Sequence, residues 1–229
     1  LDAARDRPRA RETHKVSAPE STGTSSPQLL YIADPMCSWC FAFAPILQRV
    51  REDLVDGVQF RLILGGLAED DEEPMSAETS EYIRGAWRSI EARTPVRFNW
   101  EYWERCTPRR STWPACRAVL AAGVRGEEMF EAIQQAYYQG ARDPSDLGVL
   151  ADIAEELGFA RQPFAIAIQS PEMRRELLSQ FEQRRQIGAR AFPSIAVRRA
   201  ADVQLLTSGW VEEAGLRAVL AREGLLASR

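Results

Sequence analysis

The sequence predicts an α/β chain in the order βαβ, helical insert, ββα, and three observations predict it. The apolar run Leu29-Leu30-Tyr31-Ile32-Ala33 leads through Asp34-Pro35-Met36 into Cys37-Ser38-Trp39-Cys40 and an amphipathic stretch over residues 41–54. A largely helical stretch of roughly 110 residues then separates the second strand from anything strand-like, far more than an ordinary connection needs. Two short apolar runs and an amphipathic segment close the chain.

The first strand and helix carry the chemistry, because strand, Cys-x-x-Cys, helix is the layout of a dithiol redox site. Residues three apart on a helix face the same way, with Cβ atoms about 5 to 6 Å apart, so both sulfurs can share one disulfide. Cys37 falls where the helix begins, and the unpaired N–H groups and positive dipole end found there stabilise a thiolate. It is the candidate nucleophile. Cys40, one turn further in and shielded by Phe41 and Phe43, is the candidate resolving thiol, kept protonated by an apolar setting until a mixed disulfide forms beside it. A structural zinc site is the competing reading, with Cys106 and Cys116 as a second pair. Nine residues separate those two, whereas structural zinc takes closely spaced pairs, so redox chemistry is preferred and no metal is assigned.

The second strand covers residues 58–64 and stops at Gly65-Gly66, a tight turn; a phosphate loop would need G-x-G-x-x-G or Gly-Lys-Ser. From Ser76 the period is helical, with Tyr82, Ile83, Ala86, Trp87 and Ile90 on one face, and Pro95 ends it. The aromatic cluster Phe98, Trp100, Tyr102 and Trp103 is expected to pack onto the helical region, a substrate groove being the alternative. Thr112 reads as an N-cap with Pro114 in the first turn of a helix to Ala122, followed by helices over 127–139, 146–157 and 163–168. Ser170-Pro171 starts a long helix to Ile187 with Met173, Leu177, Leu178 and Phe181 buried, closed by Gly188. Residues 194–197 and 203–206 form a hairpin, and 211–223 a terminal helix.

At 229 residues and 45% hydrophobic content, the chain can bury about 70% of its unfolded surface and needs no disulfide staples. Its net charge of −4 is spread over 29 basic and 33 acidic interspersed residues, so no basic patch is dense enough to track nucleic acid. The only histidine is His14 and the only lysine Lys15, which argues against a His-based triad, a His metal site and a Schiff-base lysine. Residues 1–28 are rich in Arg, Pro, Ser and Thr and lack an apolar core of roughly 7 to 15 residues, so they read as a disordered extension, neither a secretory signal nor a membrane anchor. On that reading the chain is cytoplasmic, where a Cys-x-x-Cys is catalytic or sensory. The expected organisation is an extension over 1–28, one domain from 29–75 with 188–229, and an inserted helical domain over 76–187.

Asp34 is read as a cap or turn residue, with proton relay the second reading. Cys116 is read as a small buried hydrophobe. Trp39 and Met36, flanking the sulfurs, are expected to offer unfolded clients an apolar docking surface. The acidic run 69–73 is a solvated loop.

The Cys-x-x-Cys at a strand-helix junction, the long helical insertion and Gly-Ala-Arg-Ala-Phe-Pro-Ser before two short strands together resemble the DsbA family of the thioredoxin fold, over residues 29 to about 223. Ala-Asp-Pro-Met-Cys-Ser-Trp-Cys, Leu-Ile-Leu-Gly-Gly-Leu and Trp-Pro-Ala-Cys-Arg-Ala are similar to its unexported, FrnE-like subgroup of predicted disulfide isomerases. The resemblance implies a thioredoxin-like fold with a large all-helical insertion that caps the site. It also implies a cis peptide at Pro193, with Phe192 and Pro193 docking substrate backbone against Cys37 and Cys40. Where thioredoxin and DsbA carry a buried acid six residues before the first cysteine, this chain has Tyr31, so the proton of Cys40 needs another route.

The activity implied is thiol-disulfide exchange, in the oxidoreductase or isomerase sense, on protein or small-molecule disulfides. It needs no bound cofactor, and glutathione or a thioredoxin-type protein is the redox partner. The rival is a glutathione-dependent isomerase or transferase like the 2-hydroxychromene-2-carboxylate isomerases and kappa glutathione transferases, which typically have Ser at the position of Cys37. A non-catalytic interaction module is the lesser alternative.

Overall fold

Strand β1 (Gln28–Ala33) is buried at every position from Leu29 on in the computed structural model, which describes residues 26–227. Successive side chains of a strand point to opposite faces, so a strand buried throughout must be covered on both. Residues 1–25 of the expected extension lie outside the described residues, and Gln28, its last, already belongs to β1. β1 pairs in parallel with β2 (Gln59–Leu64) and antiparallel with β3 (Ser194–Arg199), which pairs antiparallel with β4 (Asp202–Ser208). The sheet order is β2-β1-β3-β4. Helix α1 (Ser38–Arg51) makes the crossover from β1 to β2 that a parallel pair requires.

Between β2 and β3 run α2 (Ala77–Arg93), α3 (Tyr102–Arg105), α4 (Trp113–Ala121), α5 (Gly126–Tyr138), α6 (Leu147–Glu156), α7 (Arg161–Ile168) and α8 (Pro171–Ile187); α9 (Glu213–Arg222) follows β4. Local chemistry sets their ends. Ser76 caps α2 by accepting from the Thr79 N–H at 3.1 Å, Asp146 accepts from Gly148 and Val149 at the start of α6, and Ser170 caps α8 just before Pro171. Gly188 closes α8 in the left-handed region at φ 80°. Thr112 occupies the N-cap position of α4 but makes no cap hydrogen bond; its hydroxyl is used elsewhere.

Tyr31 of β1 stacks on Phe43 of α1 with ring centroids 6.0 Å apart and meets Phe130 of α5 at 6.3 Å, so α1 and α5 cover that face. Helix α8 packs across β2 and β4, and its Gln180 side chain accepts from the Leu64 N–H at 2.8 Å. The insert has a centre of its own: Trp87 of α2, with no exposed surface, stacks on Phe98 at 4.5 Å and meets the rings of Trp100, Tyr102, Trp103, Tyr137 and Tyr138. The aromatic cluster after α2 is therefore packing for the insert and no groove. One continuous buried cluster joins this centre to the sheet.

Two expected core residues face outward. Tyr82 is 75% exposed and Leu178 43% exposed, because the covered arcs of α2 and α8 are narrow: Ile83, Trp87 and Ile90 on one, Leu177, Gln180 and Phe181 on the other. A neighbour in sequence lies about 100° around the helix and falls off such an arc. The acidic run is exposed as expected, except that Asp70 is anchored at 2.9 Å by the buried Arg117 of α4.

Candidate active site

Cys37 is the N-cap of α1, with extended backbone angles, and its sulfur accepts from the Cys40 N–H at 3.4 Å. Its own N–H donates to the Asp34 carbonyl at 3.0 Å, which closes the loop between β1 and α1. The Cys37 thiol donates across the site to the Phe192 carbonyl at 3.7 Å, and the Phe192-Pro193 peptide is cis. Chain segments 155 residues apart are thereby brought onto one sulfur. Both cysteines are free thiols; Cys40 has no exposed surface and Cys37 only 7%.

The residues expected to flank the sulfurs divide. Met36 is buried, with its N–H on the Asp34 carboxylate at 2.8 Å, so it offers clients little surface. Trp39 is half-buried and packs on Trp210, ring centroids 5.7 Å apart, just beyond β4. Ser38 accepts from the Trp87 indole N–H at 3.0 Å, which ties the dithiol loop to the insert. Gly65 explains its own identity, because a Cβ there would overlap the Phe192 ring, and Gly66, at φ 64°, leaves room for Phe181.

Electrostatics separates the groups behind Cys37. Burial, and after it the adjacent Cys37, pushes the Cys40 thiol well up, so it stays protonated. Tyr31, in the place of the expected acid, is held neutral by burial reinforced by the two cysteines. The buried carboxyl is Asp34 instead, with no exposed surface. One oxygen takes the Met36 N–H; the other accepts from Leu67 N–H at 2.8 Å, the Thr112 hydroxyl at 2.8 Å and the Cys116 thiol at 3.6 Å. Burial raises its pKa, and these donors only partly offset that.

Cys116 is itself buried and pushed well up by burial and by Asp34, so it remains a thiol. Cys106 is elsewhere, donating to the Ala141 carbonyl at 3.4 Å. Among the described residues no group of three or more His, Cys, Asp or Glu is arranged to hold a metal ion. The convergence of Thr112 and Cys116 on Asp34 went unread in the sequence. Its one signal was their spacing, which puts them on one face of α4.

A thioredoxin-like sheet with a dithiol at the start of α1 and a helical insert defines a thiol-disulfide oxidoreductase, an enzyme of disulfide exchange. Residues 29–213 match the DSBA-like thioredoxin domain, and the chain belongs to that family. Among solved structures it is similar to a protein from Nitrosomonas europaea provisionally described as a protein disulfide isomerase, with 32% identity over 86% of this chain and 97% of that one, TM-score 0.75. It is also similar to the cytosolic disulfide reductase DsbM from Pseudomonas aeruginosa, with 28% identity over 79% of this chain and 89% of that one, TM-score 0.66. The same reductase solved with GSH matches with TM-score 0.64, at the same identity and coverage. A search of curated proteins finds no match.

Proposed function

We propose that this chain is a cytoplasmic thiol-disulfide oxidoreductase that reduces or isomerises disulfides through Cys37 and Cys40, with glutathione as the electron source. The observation that carries the reading is the Cys37 sulfur held at a helix start, against the Phe192 carbonyl, with a protonated Cys40 one turn behind it. The Cys40 N–H at the helix start points at the first sulfur, and burial keeps the second protonated. The naming of a 28%-identical relative as a cytosolic reductase, solved with GSH, supports both compartment and partner.

The cycle balances as follows. The Cys37 thiolate attacks a client disulfide, forming one mixed disulfide and releasing one client thiolate. Cys40 gives its proton to the Asp34 carboxylate and attacks the Cys37 sulfur, which releases the second client thiolate. The client gains two electrons, the Cys37-Cys40 pair becomes a disulfide, and two glutathione thiols restore it while becoming glutathione disulfide. Phe192 and Pro193 hold the client backbone alongside.

Cys40→Ser is expected to stop the second step and leave client adducts linked to Cys37, while Cys37→Ser accumulates none. Trapping followed by peptide mapping reads this directly, and full disulfide-reducing activity in Cys37→Ser would sink the proposal. Titrating the pair against glutathione then sets direction, since 30 mV is about 1.4 kcal/mol for a two-electron couple.

A further inference from the structure

Two arginines beside the site are held by aromatic rings rather than by carboxylates. Arg93, in the last turn of α2, is exposed; its guanidinium carbon lies 5.2 Å from the Trp39 ring and 5.1 Å from the Trp210 ring, and among the described residues it makes no ion pair. Aromatic faces hold a guanidinium in place while leaving its N–H edges open to a planar anion. Trp39 is two residues past Cys37, so this cation stands beside the reactive loop.

Arg184 of α8 stands beside the other element that touches Cys37. It donates to the Gly65 carbonyl at 2.8 Å, and its guanidinium carbon lies 5.5 Å from the Phe192 ring and 5.7 Å from the Phe181 ring. It too makes no ion pair among the described residues, although the buried Asp34 carboxylate acts on its charge from a distance. Trp39, two residues past the reactive Cys37, and Phe192, whose carbonyl accepts from its thiol, thus each carry a guanidinium group that makes no ion pair among the described residues, on a chain whose net charge is −4. Such an acidic protein attracts no anion overall, so any preference for one must be local. Glu91, one helical half-turn before Arg93, is occupied by the Phe98 N–H at 2.9 Å and the Trp100 indole. Glu212, two residues after Trp210, is exposed and opposes the effect.

We propose that Arg93 with its Trp39-Trp210 clamp and Arg184 beside Phe192 form a carboxylate-reading rim that selects glutathione-type disulfides. The inference rests on Cys37 being the reacting thiol, as proposed above. Glutathione carries its cysteine between two carboxylate-bearing ends, so a sulfur placed against Cys37 sends one carboxylate toward each guanidinium. A charge-assisted contact to Arg is strong and geometrically selective where it is partly shielded from water.

The test compares second-order rate constants of the reduced protein with glutathione disulfide and with uncharged hydroxyethyl disulfide, following the oxidation of the Cys37-Cys40 pair. In the wild type the ratio favours glutathione disulfide, and about 0.5 M sodium chloride, which shortens the Debye length to a few Å, lowers it. Arg93→Gln and Arg184→Gln are each expected to cut the ratio about fivefold to tenfold, with Arg184→Lys recovering part of it. A ratio unchanged in both Gln variants, or no preference for glutathione disulfide in the wild type while hydroxyethyl disulfide still reacts, overturns the rim. Failure of the wild type to react with either disulfide would overturn instead the thiol-disulfide reading on which it rests.

Discussion

Asp34 decides more at this site than its size suggests. Its carboxyl is buried and makes no ion pair among the described residues, and the bonds it accepts come from three parts of the chain: the dithiol loop at Met36, the segment after β2 at Leu67, and α4 at Thr112 and Cys116. An acid whose pKa is raised on folding binds its proton more tightly in the folded state. Its contribution is therefore intact below the unfolded pKa of about 3.9 and is lost as pH rises through the folded value. Asp34→Asn abolishes that dependence, so the stability of the wild type relative to the variant should fall as pH rises above about 4 in urea titrations. In the cycle proposed above, the same variant deprives Cys40 of its proton acceptor. Resolution of a preformed Cys37 mixed disulfide should slow by about 10²-fold, the size expected for loss of general-base assistance, and a rate within about twofold of wild type would remove Asp34 from the mechanism.

At the scale of elements, the end of β2 is where packing and chemistry meet. Gly65 and Gly66 let the rings of Phe192 and Phe181 close over the strand end, and Phe192 in turn puts its carbonyl on Cys37. Gly66→Ala combines an unfavourable positive φ with an overlap against Phe181, and should cost about 1 to 3 kcal/mol, measured as a lower urea midpoint at unchanged m-value. Gly65→Ala meets an ordinary φ but displaces Phe192. Its expected signature is slower adduct formation at Cys37 that exceeds any loss of stability, and equal adduct rates would separate Phe192 from docking.

For the whole molecule, Trp87 is the keystone of the insert and also reaches the dithiol loop through Ser38. Trp87→Ala removes a fully buried ring and should cost about 3 to 5 kcal/mol. Because the buried cluster runs unbroken from insert to sheet, that loss should appear in one transition, with near- and far-ultraviolet circular dichroism changing together. Separate transitions would mean that the insert over 76–187 folds as a unit independent of the sheet.

What could be read from the sequence alone is what short stretches of chain decide for themselves. The strand-dithiol-helix junction, the helix starts at Ser76, Asp146 and Ser170, the stop at Gly188 and the β-hairpin all follow from periodicity and turn chemistry within a few residues, whereas Thr112, read as a cap, spends its hydroxyl on Asp34. The cysteines could be ranked in the same way, since the start of a helix and its interior are local settings. Tyr82 and Leu178 were misplaced because a periodic pattern gives the apolar face of a helix but not the width of the neighbour that covers it. Asp34 as the buried acid in place of Tyr31, the Trp87 bond to Ser38, and the pairing of Arg93 with Trp39 and Trp210 were decided only by tertiary structure. Each joins groups far apart in sequence, and a buried polar atom takes whatever partner the packing delivers, because leaving it without one costs about 1 to 3 kcal/mol.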